Sequence, residues 1–149
     1  QTFQGAEGRS QVKNLSSGVR LFCDYYNASP ASMRAAFKMA SSDAKKFKTP
    51  LHFVLADMLE LGADEEKLHR SLASDLLQSA PTTVLLFGKR MFWLSDELKK
   101  LNFENVFHFE DKNDLSKKLL ASIGPNDRIL IKGSRSMRME DILKLANLN

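Results

Sequence analysis

Residues 128–141 read RILIKGSRSMRMED. Three apolar β-formers, Ile129, Leu130 and Ile131, stop at Lys132, Gly133, Ser134 and Arg135, and Met139, Ile142, Leu143 and Ala146 then recur at helical spacing. An unbroken apolar run that hands over to a 3.6-residue period describes a strand buried on both faces followed by an amphipathic helix, the repeating unit of a parallel α/β sheet.

The same unit recurs upstream. GVRLFCDYY (18–26) leads to SPASMRAAFKMASSDAKKF (29–47), with Ser29 as N-cap, Pro30 at the first helical position and Met33, Ala36, Phe37, Ala40 and Ala44 on one face. PLHFVLADM (50–58) precedes a Gly62 turn and a helix capped by Asp64 with Leu68, Leu72 and Leu76 inward. TTVLLFG (82–88) precedes a helix with Met91, Leu94, Leu98 and Leu101 inward, and NVFHFED (105–111) precedes NDLSKKLLASIG (113–124), stopped by Gly124 and Pro125. The alternation predicts an α/β domain with a mostly parallel sheet of about six strands flanked by helices. Residues 1–17 fall outside this alternation and are expected to supply an edge strand and a connection from a preceding domain, with residues 18–149 forming the domain itself.

The composition of 149 residues, 43% hydrophobic and 27% charged, suits one soluble globular domain. No apolar run approaches the roughly 20 residues of a membrane helix, and QTFQGAEGRS at the start has no signal-peptide pattern, so a cytoplasmic protein is expected. Because the chain starts at Gln1 in mid-pattern, it reads as part of a longer protein. The net charge of +4 comes from interspersed cations and anions and does not imply nucleic acid, and a single cysteine, Cys23, excludes an internal disulfide.

In such sheets ligands bind beyond the carboxyl ends of the strands. Those ends carry Asp24, Tyr25, Tyr26 and Asn27; Asp57 and Glu60; Gly88 and Lys89; Glu110 and Asp111; and Lys132 to Arg135. At the last, Gly133 allows close backbone approach, Lys132 and Arg135 offer charge, and the N–H groups opening the next helix favour an anion. A solvated helix cap made by Ser134 or Ser136 is the plainer alternative. His52, His69 and His108 read as partly buried structural residues. No phosphate loop, dinucleotide fingerprint, nucleophile elbow or zinc spacing is present, so the chain looks like half of an active site.

Three segments in order carry a family resemblance. CDYYNASPASM (23–33) resembles the D-D-x-Y-N-A-N-P-x-S-M segment of the Mur ligases that add D-alanyl-D-alanine; LADMLELG (55–62) resembles their G-D-M-x-E-L-G; ILIKGSRSMRME (129–140) resembles their V-L-V-K-G-S-R-x-x-x-M-E. His69 stands where that family has a histidine. The resemblance implies a Rossmann-like three-layer α/β fold and the C-terminal domain of a three-domain, ATP- and Mg²⁺-dependent ligase of bacterial peptidoglycan synthesis. Its partners are then ATP, D-alanyl-D-alanine and UDP-N-acetylmuramoyl-tripeptide, with the phosphate loop and metal ligands in a missing central domain, and it is expected to act as a monomer without nucleic acid or membrane.

The resemblance also implies roles. Arg9 would reach the ATP phosphates, and Asp24 the nucleotide ribose, with Tyr26, Asn27 and Pro30 beside the nucleotide. Lys132, Ser134 and Arg135 would hold the dipeptide by its carboxylate, with Asp57 and Glu60 in the same cleft. No residue of the chain by itself is expected to be catalytic. Cys23, Tyr25, Ser29 and Ala56 depart from the family pattern. Two other readings stay open: the same domain of a sister ligase, such as another Mur ligase or a folylpolyglutamate synthase, and a non-catalytic Rossmann-like binding module.

Overall fold

A computed structural model describes residues 10–148. Six strands, β1 (Gln11–Asn14), β2 (Arg20–Asp24), β3 (Leu51–Ala56), β4 (Thr83–Phe87), β5 (Val106–Phe109) and β6 (Arg128–Lys132), form one sheet in the order β1-β2-β6-β3-β4-β5. Only β1 runs antiparallel, pairing Val12 with Phe22 at the sheet edge; the other neighbours are parallel.

Helices α1 (Pro30–Phe47), α2 (Glu65–Gln78) and α3 (Met91–Lys100) cover one face, and α4 (Lys112–Ser122) and α5 (Glu140–Leu145) the other. Alternating side chains of one strand serve the two cores, because successive Cβ atoms point to opposite faces. Leu130 joins Phe22, Phe53 and Leu55 beneath Phe37 of α1 and Leu76 of α2, whereas Ile129 and Ile131 join Leu21, Val54 and Leu85 beneath Leu119 of α4 and Ile142 of α5. This two-sided burial is why the strands read as continuous apolar runs.

Ser29 caps α1 as expected: its hydroxyl accepts the Ser32 N–H, and Ser32 Oγ accepts the Ser29 N–H in return. Elsewhere the local expectations are corrected. Asp64 occupies the N-cap of α2 without a side-chain cap bond, because a 3₁₀ turn over Gly62–Asp64 delivers the chain to the helix. His69 is fully buried on the inner face of α2, while Leu68 is only half-buried, and Leu101 lies beyond the end of α3 with 47% exposure.

The helix expected right after β6 starts late. A 3₁₀ turn, Arg135–Met137, and a left-handed Arg138 (φ 51°) come first, and α5 has only six residues. The dipole of a regular helix opening at Gly133 therefore does not act at this strand end, and neither Ser134 nor Ser136 serves as its cap.

The chain moves outward from β3 to β4 and β5 and then returns through α4, on the other face, to insert β6 between β2 and β3. The loops after β2, β3 and β6 are thus neighbours at one end of the sheet, where a doubly wound fold leaves its crevice.

Candidate functional site

These three loops enclose a cleft of about 550 Å³ lined by Tyr26 and Asn27, Leu59 and Glu60, and Ser134, Arg135, Ser136 and Arg138. Five residues singled out in the sequence therefore meet in space: Tyr26, Asn27, Glu60, Ser134 and Arg135. The Arg135 guanidinium lies over the Tyr26 ring, 5.0 Å from its centroid, a cation–π arrangement that orients the side chain and leaves it exposed.

Arg138 was not anticipated. It lies three residues beyond Arg135, and the 3₁₀ turn between them brings both onto the cleft wall, since side chains at i and i+3 eclipse in this conformation. The R-x-x-R spacing was the available signal. Lys112 Nζ braces the turn, donating to the Arg138 carbonyl and to Asp141 Oδ2, both at 3.0 Å, and this neighbour holds the Asp141 carboxyl below its ordinary value. Leu59, which was not anticipated, and Ser136, considered in the sequence only as a helix cap, complete the lining.

The cleft wall is laced together by Ser134. Its N–H donates to the Asp57 carbonyl at 3.1 Å and its Oγ accepts the Leu59 N–H at 2.8 Å. Among the described residues nothing accepts the hydroxyl proton.

Lys132, Asp24, Asp57 and Pro30 are not brought to the cleft wall. Lys132 is 1% exposed, and its ammonium is bound to Asp24 Oδ2 at 2.9 Å and to the Asn27 carbonyl at 3.0 Å. A buried ammonium must be paired, and Asp24, its register neighbour across β2 and β6, supplies the charge. Lys132 consequently anchors the β2 loop from below instead of projecting toward a ligand. Asp24 Oδ1 accepts no hydrogen bond from the described residues, and the side chain is 22% exposed.

Asp57 is 2% exposed, and its carboxylate accepts the Arg90 N–H at 3.2 Å and the Met91 N–H at 3.0 Å. It caps α3 from another strand, where an anion compensates the orphan N–H groups and the helix dipole. Gly88 (φ +112°) makes room for it: a Cβ there would lie 2.4 Å from Asp57 Oδ1. Gly133 has a similar purpose, because its Cβ would fall 2.6 Å from Ala56 Cβ, so this glycine serves strand packing and not ligand approach. Pro30 starts α1. Arg9 lies outside the described residues.

The cleft therefore offers two guanidiniums, one carboxylate, two serine hydroxyls and an aromatic face, suited to a small anionic or zwitterionic ligand. It holds no nucleophile with an adjacent base. Among the described residues no three His, Cys, Asp or Glu side chains gather as a metal shell, so these residues by themselves do not fit a Mg²⁺ site.

The model of the Mur ligase, glutamate ligase domain, matches residues 8–135. The UDP-N-acetylmuramoyl-tripeptide–D-alanyl-D-alanine ligase of Bacillus subtilis is 34% identical over 137 residues, covering 91% of this chain and 30% of the relative. A crystal structure of MurF from Acinetobacter baumannii superposes with a TM-score of 0.83 at 24% identity, and that of the MurF ligase from Thermotoga maritima in complex with ADP with 0.77 at 23%; each comparison covers 98% of this chain and 32% of the other. The chain thus spans about 30% of the length of the relatives it matches. By the family match over most of its residues and the shared fold, the chain belongs to the Mur ligase family, as its glutamate ligase domain.

Proposed function

We propose that this chain is the C-terminal, closing domain of an ATP-dependent ligase that joins D-alanyl-D-alanine to UDP-N-acetylmuramoyl-tripeptide, and that its cleft receives the dipeptide. The observation that carries the reading is the pair Arg135 and Arg138 beside Ser134 and Glu60 at the junction of three strand ends. A dipeptide is a zwitterion with one carboxylate, and a guanidinium grips a carboxylate with two parallel hydrogen bonds. The names of the relatives support this substrate pair.

In this reaction the tripeptide carboxylate, activated by ATP as an acyl phosphate, is attacked by the dipeptide amine: a C–N bond forms, phosphate leaves and the amine gives up a proton. This chain's residues bind and orient. Arg135, fixed by Tyr26, holds the dipeptide carboxylate, Ser134 donates its hydroxyl to it, and the amine is left to project out of the cleft. Closure of the domain over the rest of the ligase excludes water and supplies proximity.

ATP would meet the β2 end of the same cleft. Asp24 Oδ1, held outward by the Lys132 contact to Oδ2, suits a ribose hydroxyl, with Tyr26, Asn27 and the Pro30 turn beside the nucleotide and Arg9 toward the phosphates. The metal would be held by groups of the rest of the ligase, and no step here depends on it. A single cysteine buried in β2 fits the reducing cytoplasm of a bacterium, and the ligase works as a monomer.

The test is an assay of the full-length protein with ATP, UDP-N-acetylmuramoyl-tripeptide and D-alanyl-D-alanine. Phosphate release that requires both the dipeptide and the tripeptide supports the reading, and release driven by a single amino acid in place of the dipeptide contradicts it.

A further inference from the structure

The segment that carries Leu59 and Glu60 into the cleft has no regular structure between β3 and the 3₁₀ turn at Gly62. Five hydrogen bonds fix it. Ser134 makes two of them, the Asp57 carboxylate accepts two from the start of α3, and the fifth is made by His69, whose Nε2 lies 3.0 Å from the Met58 backbone nitrogen.

That contact defines the imidazole. The Met58 N–H donates, so Nε2 must be the acceptor, and Nδ1, 2.7 Å from the Glu65 carbonyl, must carry the proton. The ring is fully buried and packs in a T-shaped arrangement with Trp93, at a centroid distance of 5.8 Å. An aliphatic side chain would fill the volume but leave a buried N–H unsatisfied in the loop. A histidine, able to bridge a carbonyl on its own helix and an N–H on the loop, is thus explained by the loop and not by the core.

We infer that His69 is a positioning residue: as the neutral Nδ1–H tautomer it holds the Met58 N–H and so sets the cleft wall made by Leu59 and Glu60. The inference rests on the reading of the cleft as the dipeptide site. Protonation of Nε2 would destroy the acceptor and place two N–H groups face to face. Burial holds the imidazole below its ordinary value of 6.5; the Glu65 carbonyl and the charges of Asp57 and Glu65 oppose this, and Arg90, across on α3, reinforces it. The loop is consequently secured at neutral pH: the stabilisation from the neutral ring begins to decline as pH falls below 6.5, where the unfolded chain takes up the proton, and the contact itself is lost only as pH falls through the lower folded value.

The test uses the full-length ligase. His69→Leu is expected to raise the dipeptide KM about tenfold while the ATP KM stays within about twofold, and His69→Gln, which keeps an acceptor, recovers most of the loss. In the parent protein kcat/KM for the dipeptide acquires an acid limb below pH 6.5 that His69→Gln lacks. Equal loss for both substrates, or no recovery by glutamine, overturns the role. Long-range ¹H–¹⁵N spectra of histidine-labelled, unmutated protein decide it even if the leucine variant fails to fold: the Nδ1–H tautomer at His69 supports the placement and the Nε2–H tautomer overturns it. A full-length protein without dipeptide-dependent turnover overturns the proposed function, and the tautomer still judges His69.

Discussion

The ammonium of Lys132 lies 2.9 Å from Asp24 Oδ2 with only 1% of the lysine side chain exposed. It joins the ends of β6 and β2 and, through the Asn27 carbonyl, fixes the loop that presents Tyr26 to the cleft. Removing one partner of a buried pair strands the other charge. Lys132→Met should destabilise the chain by about 3 kcal/mol, the low end for such pairs because Asp24 keeps some solvent contact. Urea unfolding of the variant checks this, and a stability within experimental error of the parent would remove Lys132 from the frame of the site.

Gly133 faces Ala56 and Met139 across the sheet, with no room for a methyl group. Gly133→Ala should cost about 2 kcal/mol through overpacking between β6 and β3. Gly133→Ala combined with Ala56→Gly should recover most of it, because the double variant moves the methyl to the other strand. Additive losses in a double-mutant cycle would contradict the packing account.

Asp57, which does not line the cleft, is a cap for α3. Asp57→Ala leaves the Arg90 and Met91 N–H groups without their acceptor, a loss of about 2 kcal/mol. Amide hydrogen exchange should quicken first in the opening turn of α3. Exchange unchanged there, with activity lost, would instead make Asp57 a ligand-contacting group.

The sequence disclosed the five strand–helix units because two-sided burial leaves continuous apolar strands and one-sided burial leaves periodic helices, as Ile129 to Ile131 and the Met33–Phe37–Ala40 stripe illustrate. It also disclosed the strand ends that converge. The partner of each strand-end side chain was not legible: Lys132 and Arg135 read alike as cations, yet one turns under the sheet to Asp24 and the other out over Tyr26. That choice depends on which strands are neighbours, and the insertion of β6 between β2 and β3 is a tertiary fact. Asp57 looked like a ligand for the same reason, its α3 partner lying on another unit. His69 had the spacing of a helix residue, and its bond to Met58 crosses two elements.

Cys23 is fully buried in β2, and desolvation pushes its thiol up to about 11. Thiolate is the reactive form, so labelling at pH 8 should be negligible in the native chain and should follow the unfolding transition in urea. Prompt stoichiometric labelling without denaturant would contradict the burial of β2.

The central claim, that the cleft holds the dipeptide by its carboxylate, is tested most directly by the kinetics of Arg135→Ala in the full-length ligase. Loss of a charge-assisted bidentate contact should raise the dipeptide KM roughly 10- to 100-fold and leave the ATP KM nearly unchanged, with Arg135→Lys recovering little because an ammonium cannot grip both oxygens or stack on Tyr26 in the same way. Dipeptide kinetics unchanged by the alanine substitution would contradict the account.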